Sequence, residues 1–109
     1  MNVPCVSSVW GQTAYPAVSG LRDATLRLDV AANNVANAAS DGFTPSRVVS
    51  SALPGGGVQS TVTPSDLEGG VDLPTEIVSA MIARAAFSAN AHVLAQSFET
   101  QRRLLDILA

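Results

Sequence analysis

Residues 16–43 read PAVSGLRDATLRLDVAANNVANAASDGF, and their spacing decides the fold. Pro16 suits a first helical turn, where its missing N–H costs nothing. Val18, Leu21, Thr25, Leu28, Ala32, Val35 and Ala39 then recur three and four residues apart, a heptad stripe with Thr25 as its polar member. The spacing predicts a helix over 16–39, about 35 Å long. Gly20 weakens its early turns. Asp23 and Arg27 stand one turn apart and can pair. Leu26 and Val30 add a second apolar edge beside the main stripe. Asp41-Gly42-Phe43 closes the segment, with Gly42 supplying a left-handed cap and Phe43 free to fold back on the last turn.

The C-terminal part carries a matching pattern. Asp72 is a candidate N-cap, Pro74 lies in the tolerant first turn, and Glu76 complements the helix dipole. Leu73, Ile77, Ala80, Arg84, Phe87, Ala91, Leu94, Phe98, Gln101, Leu105 and Leu108 hold a four-three register, broken in polarity by Arg84 and Gln101. Arg102 and Arg103 suit a helix C-terminus, where Glu99 and Asp106 can pair with them. This second helix should be about 55 Å long.

Between the two, Pro45, Pro54, Gly55, Gly56, Gly57, Pro64, Gly69 and Gly70 punctuate residues 44–70. Arg47 to Leu53 and Val58 to Thr63 are β-prone runs that read as a small hairpin with a flexible tip. The triple glycine lacks the Lys-Ser/Thr that completes a phosphate loop, and no helix follows it. Pro4, Ser7, Ser8 and Gly11 make residues 1–15 read as an irregular tail. The expected fold is therefore mainly α. Two long helices, at 16–43 with its cap and at 71–109, form an antiparallel coiled-coil hairpin with a short β-hairpin insertion at 44–70. The longer helix should overhang by about 20 Å and leave an apolar stripe uncovered.

Composition narrows the function. A chain of 109 residues is one small domain. Only 14% of residues are charged, against about 25% in an average protein. The six basic residues are all Arg and the net charge is −3, which argues against nucleic acid and against an anionic membrane surface as partners. No run reads as a transmembrane span, so direct membrane insertion is not expected. Ala (17) and Val (13) dominate the apolar set, with five aromatics. Small side chains bury little area, so a lone copy should be only weakly stable. Met1 to Ser8 lack the positive charge and apolar run of a Sec signal peptide.

Catalytic and cofactor chemistry has little to work with. There is one Cys and one His, and no nucleophile elbow, zinc-protease motif or dinucleotide fingerprint. No metal, cofactor or small-molecule substrate is expected, and the chain reads as a non-enzyme. Asp66, Glu68 and Asp72 are solvated turn acids by this reading, His92 lies off the main stripe, and Cys5 has no base nearby in sequence. Asn33, Asn34 and Asn37 are harder to place, because Asn is a poor helix former. Their amides either help to end the helix or bond to neighbouring helices and fix register, with Asn90 as a possible partner.

At this cluster the sequence resembles a known family. Ser19-Gly20-Leu21, Leu28-Asp29-Val30-Ala31-Ala32-Asn33-Asn34-Val35-Ala36-Asn37 and Asp41-Gly42-Phe43 are similar to the N-terminal signature of the bacterial flagellar axial proteins, the rod, hook and hook-junction subunits. Val71-Asp72-Leu73, Glu76-Ile77-Val78 and Ala86-Phe87-Ser88-Ala89-Asn90-Ala91-His92-Val93 resemble that family's C-terminal motif. The family usually has Thr-Pro-Gly-Phe where this chain has Ser40-Asp41-Gly42-Phe43, and Gln-Arg where it has Arg84-Ala85.

The resemblance implies a short rod-type subunit of the flagellar basal body. Such a subunit polymerises through its terminal helices into the periplasm-spanning drive shaft. Its partners would be copies of itself, other rod and hook-basal-body proteins, and the flagellar type III export apparatus. Leu21, Leu28, Asn33, Asn34, Val35, Asn37, Phe43, Ile77, Phe87, Asn90, Leu94, Phe98 and Leu105 are then the expected packing and partner-binding residues. The alternative is a secreted helical-hairpin substrate or adaptor unrelated to the flagellum. Such hairpins carry Trp-x-Gly between their helices, whereas Trp10-Gly11 precedes both helices here and lacks the middle residue.

Overall fold

The computed structural model describes residues 6–66 and 69–109, with side chains described from Ala14 onward. Four elements follow in order: α1 (Val6–Ala36), β1 (Ser46–Ala52), β2 (Val58–Pro64) and α2 (Leu73–Leu108). The fold is mainly helical, with a two-stranded antiparallel sheet between the helices. It is also elongated. The radius of gyration is 18.5 Å, where a compact domain of this length would show about 13 Å.

α1 begins ten residues earlier than the spacing of its stripe suggests. Residues 6–15 are helical, not an irregular tail, and Pro16 lies inside the helix, not in its first turn. Gly and Pro cost about 1 and 3 kcal/mol in a helix interior. A helix already nucleated on the following residues can propagate through them, because each added residue gains a backbone bond. Trp10 and Gly11 consequently fall within α1 and not in a turn between helices. At the other end α1 stops at Ala36, short of Ala39, and the chain passes through turns to Gly42. Those turns hold backbone bonds from Ala38 N to Val35 O (3.2 Å) and Ser40 N to Asn37 O (3.0 Å). Gly42 takes the left-handed conformation expected of it, at φ 73°. With 31 residues in α1 and 36 in α2, the length difference is about 8 Å and not the expected 20 Å.

The helices run antiparallel and in step. Asn34 on α1 bonds to Glu76 on α2, and fourteen residues back along α1, Gly20 lies against Asn90, fourteen residues further along α2. A Cβ on Gly20 would sit 2.6 Å from the Asn90 Oδ1, so the two backbones approach closely there. The α1 seam differs from its expected stripe by one position, and the α2 seam does so in part. On α1, among the described side chains, the buried residues are Ala17, Ser19, Ala24, Ala31 and Asn34, not Val18, Thr25, Ala32 and Val35. On α2 the fully buried residue is Ala83, with Glu76, Ala80, Asn90, Ala91, Leu94, Ser97 and Gln101 half-buried. Ala80, Ala91, Leu94 and Gln101 lie where the stripe placed them. Ile77, Arg84, Phe98 and Leu105 do not, and are exposed. Small side chains win the seam because they let the helices draw together, and the bulky residues are left flanking it.

The hairpin follows the reading of its punctuation closely. Its ladder runs from Ser46 opposite Pro64 to Ala52 opposite Val58. Leu53 N bonds to Gly57 O (3.0 Å) and closes the turn. No Cα of either strand comes within 8 Å of α2, whereas both strands pack on α1. α2 is reached through Asp72, which occupies the N-cap and accepts the Thr75 hydroxyl at its Oδ2 (2.7 Å).

Candidate functional site

Two surfaces of α1 and α2 stand out, one polar and closed by the hairpin, one apolar and open. The polar one is a line along α1 made by Ser19, Asp23, Arg27 and Asn34. These residues recur at helical spacing and so share a face. Each meets the hairpin. Ser19 Oγ accepts the Val58 N–H (3.1 Å) and donates to Pro16 O (2.7 Å). Asp23 Oδ1 accepts the Ser60 hydroxyl (2.6 Å) and the Ser50 hydroxyl. Arg27 donates from Nε to Asp23 Oδ2 (2.9 Å) and from Nη2 to Ser50 Oγ (2.8 Å). The expected Asp23–Arg27 pair is therefore present, and it belongs to a four-residue network spanning three elements. Sequence reasoning missed Ser50 and Ser60, which lie 27 and 37 positions from Asp23 and carry no motif.

Burial pushes the Asp23 carboxyl up, but hydrogen bonds from Ser50, Ser60 and Arg27, with the Arg27 charge, outweigh it and hold the group below the ordinary carboxylate value. A carboxyl whose folded pKa is depressed adds stability above its unfolded pKa, about 3.9, and loses that contribution as the pH falls toward the folded value. Stability should therefore decline on acidification below about pH 4. Asp23→Asn should be less stable at pH 7 and show a flatter acid limb, as measured by urea denaturation across pH 2–7. An unchanged acid limb would assign the decline to other carboxylates.

Asn34 is the largest fully buried side chain and is 0% exposed. Its Nδ2 donates to Ser46 O (2.8 Å) and to Glu76 Oε1 (3.1 Å), and its Oδ1 accepts the Ser46 N–H (2.9 Å). The amide thus binds both main-chain groups of Ser46, as a neighbouring strand would, and also holds α2. Of the two readings of this amide, the bond to Glu76 on α2 is the one to a neighbouring helix, and it lies within one chain. The other asparagines also bond locally. Asn37 Nδ2 donates to Asn33 O (2.9 Å) and Asn33 Oδ1 (3.1 Å), which is helix-end chemistry, and Asn90 Nδ2 donates to Ala86 O (2.9 Å).

The apolar surface includes Leu28, Val35 and Ile77 among the remaining expected residues. Val35, Ile77, Phe87, Phe98 and Leu105 are exposed, and Leu21, Leu28, Phe43 and Leu94 are half-buried. Leu28, Val35, Ile77, Ala80 and Met81 line one open groove between the helices, of about 540 Å³. Met81, absent from the expected stripe, is 66% exposed, and Ile77 is 55% exposed. By length and hydropathy α2 could cross a membrane, contrary to the reading that no run does. It carries Arg84, Asn90 and His92 in its middle. An Arg at a bilayer centre alone costs about 2.5–3.5 kcal/mol, so the helix is better suited to a protein interface. Among the described residues no three His, Cys, Asp or Glu side chains gather as a metal site.

Residues 15–44 match the family model described as flagella basal body rod protein. The matched 30 of 109 residues take in α1 from Tyr15 onward and the turns through Gly42. No curated protein matches the chain.

Proposed function

From the match of residues 15–44 to the flagella basal body rod protein model, we propose that this chain is a structural subunit of the rod, polymerising through its two helices into the axial drive shaft. The carrying observation is the open apolar row beside the α1–α2 seam, from Leu28 and Val35 across to Ile77, Met81 and Phe87. The antiparallel pair serves as one coiled-coil unit, and the row is the face that its neighbours cover. Copies of itself and other rod and hook-basal-body proteins are the partners. Export through the flagellar type III apparatus delivers it to the periplasm-spanning rod. A protein of low intrinsic stability suits a route that passes unfolded chains.

Magnitudes favour many neighbours over one. Fully burying a large apolar side chain contributes about 1.5–3 kcal/mol, and these are already partly covered, so about 1 kcal/mol remains for each. Five or six together give about 6 kcal/mol, which the loss of rotational and translational freedom, 4–15 kcal/mol or more, largely cancels for one pairwise contact. A lattice that gives each subunit several neighbours recovers that loss. A heterologous, non-closing contact generates such a lattice. Electron cryomicroscopy of purified basal bodies tests the reading. The rod density should contain this chain with α1 and α2 in its wall, and intact rods lacking the chain would refute it.

A further inference from the structure

Among the described elements, the hairpin packs on α1 alone. Its strands pack on α1 and have no Cα within 8 Å of α2. An open cleft of about 320 Å³ separates it from α2, with Val30 and Val48 on one side and Ile82 and Ala86 on the other. Its polar fastenings form a series. Asn34 holds Ser46 at the base, Asp23 and Arg27 hold Ser50 and Ser60 midway, and Ser19 holds Val58 near the tip. Val62, on the hairpin face shared with Ser60, remains 48% exposed.

We infer that the hairpin beyond Ser46 is a flap that lifts from α1 while the helix pair stays folded, pivoting at the Asn34–Ser46 contact, with Asp23 as its latch. The inference stands on the fold alone and holds whatever the chain assembles with. Local opening of this kind is drawn from regions with few buried apolar contacts. A lifted two-stranded hairpin is barely stable by itself, so its ladder loosens once it leaves the helix. The Asn34 bonds lie at the hinge end and persist when the latch opens.

Native-state hydrogen exchange on the full chain tests this. In Asp23→Ala the Val58 amide and the ladder amides of Val49, Ser51 and Thr61 should exchange about 10- to 100-fold faster. Amides of α1 from Ala24 to Asn34 should keep their rates, and Ser46 should change least within the hairpin. Ser60→Ala removes one of the hydroxyl donors to Asp23 and should shift the same hairpin amides in the same direction by less. Hairpin and α1 amides accelerating together in both variants would show one cooperative unit and overturn the flap. Unchanged hairpin rates in both would overturn the latch.

Discussion

Asn34→Leu is expected to lower stability by about 3 kcal/mol, a fall in Tm of roughly 12–18 °C for a chain of this size, read by thermal circular dichroism. Leu keeps the branching of Asn and is the larger side chain, so no cavity explains the loss. Three hydrogen bonds vanish at a position with no exposure. Ser46 is left with an unpaired N–H and C=O beneath α1, and each such buried group costs about 1–3 kcal/mol. Glu76 loses its donor as well. The register of β1 depends on the same contact, because Asn34 takes the place of a third strand at Ser46. Asn33→Leu, one residue away and exposed, should stay within about 0.5 kcal/mol. If Asn34→Leu matched the parent chain in Tm, the buried amide would not be the junction of α1, β1 and α2.

The contrast between these adjacent asparagines shows where sequence reading ends. Three Asn in five residues signalled that the helix was doing something unusual there, and Asn33 and Asn37 do serve its end. Nothing local marks Asn34 as the inward one, because its partners are the main chain of Ser46 and a carboxylate 42 positions away. The hairpin was legible because its signals are local: Pro and Gly at the turn, β-branched residues on either side. The α1 seam lies one position from its expected stripe for a related reason. Periodicity weighted the large residues Val18, Leu28, Val35, Ile77 and Phe98, whereas close packing selected Ala17, Ala24, Ala31 and Ala83. The seven-residue spacing of the first three alanines was present in the sequence, and read beside Gly20 it signals a tight helix pair. The Asp23 network was not legible, since Ser50 and Ser60 become its neighbours only after the hairpin folds back over α1. The displaced large residues, in turn, define the open face.

Placing a carboxylate on that face should separate assembly from folding. Met81→Asp, alone or with Ile77→Asp, is expected to leave the Tm of the isolated chain within a few degrees, because both side chains are more than half exposed and touch no buried network. In the rod the same position would be covered by a neighbouring subunit. Desolvating a carboxylate there costs several kcal/mol without a cation to meet it, and every subunit carries the change, so the penalty repeats at each contact. Incorporation into basal bodies should fall below detection and swimming should stop, with folded protein still present. Gln59→Asp, on the outer face of the hairpin, adds the same charge away from the apolar row and should assemble normally. Normal incorporation of Met81→Asp would mean that the open groove faces solvent in the rod and that some other surface joins the subunits. Equal failure of Gln59→Asp would point to net charge and not to the groove. The two results together decide whether the bulky residues excluded from the intramolecular seam are the ones that hold neighbouring chains.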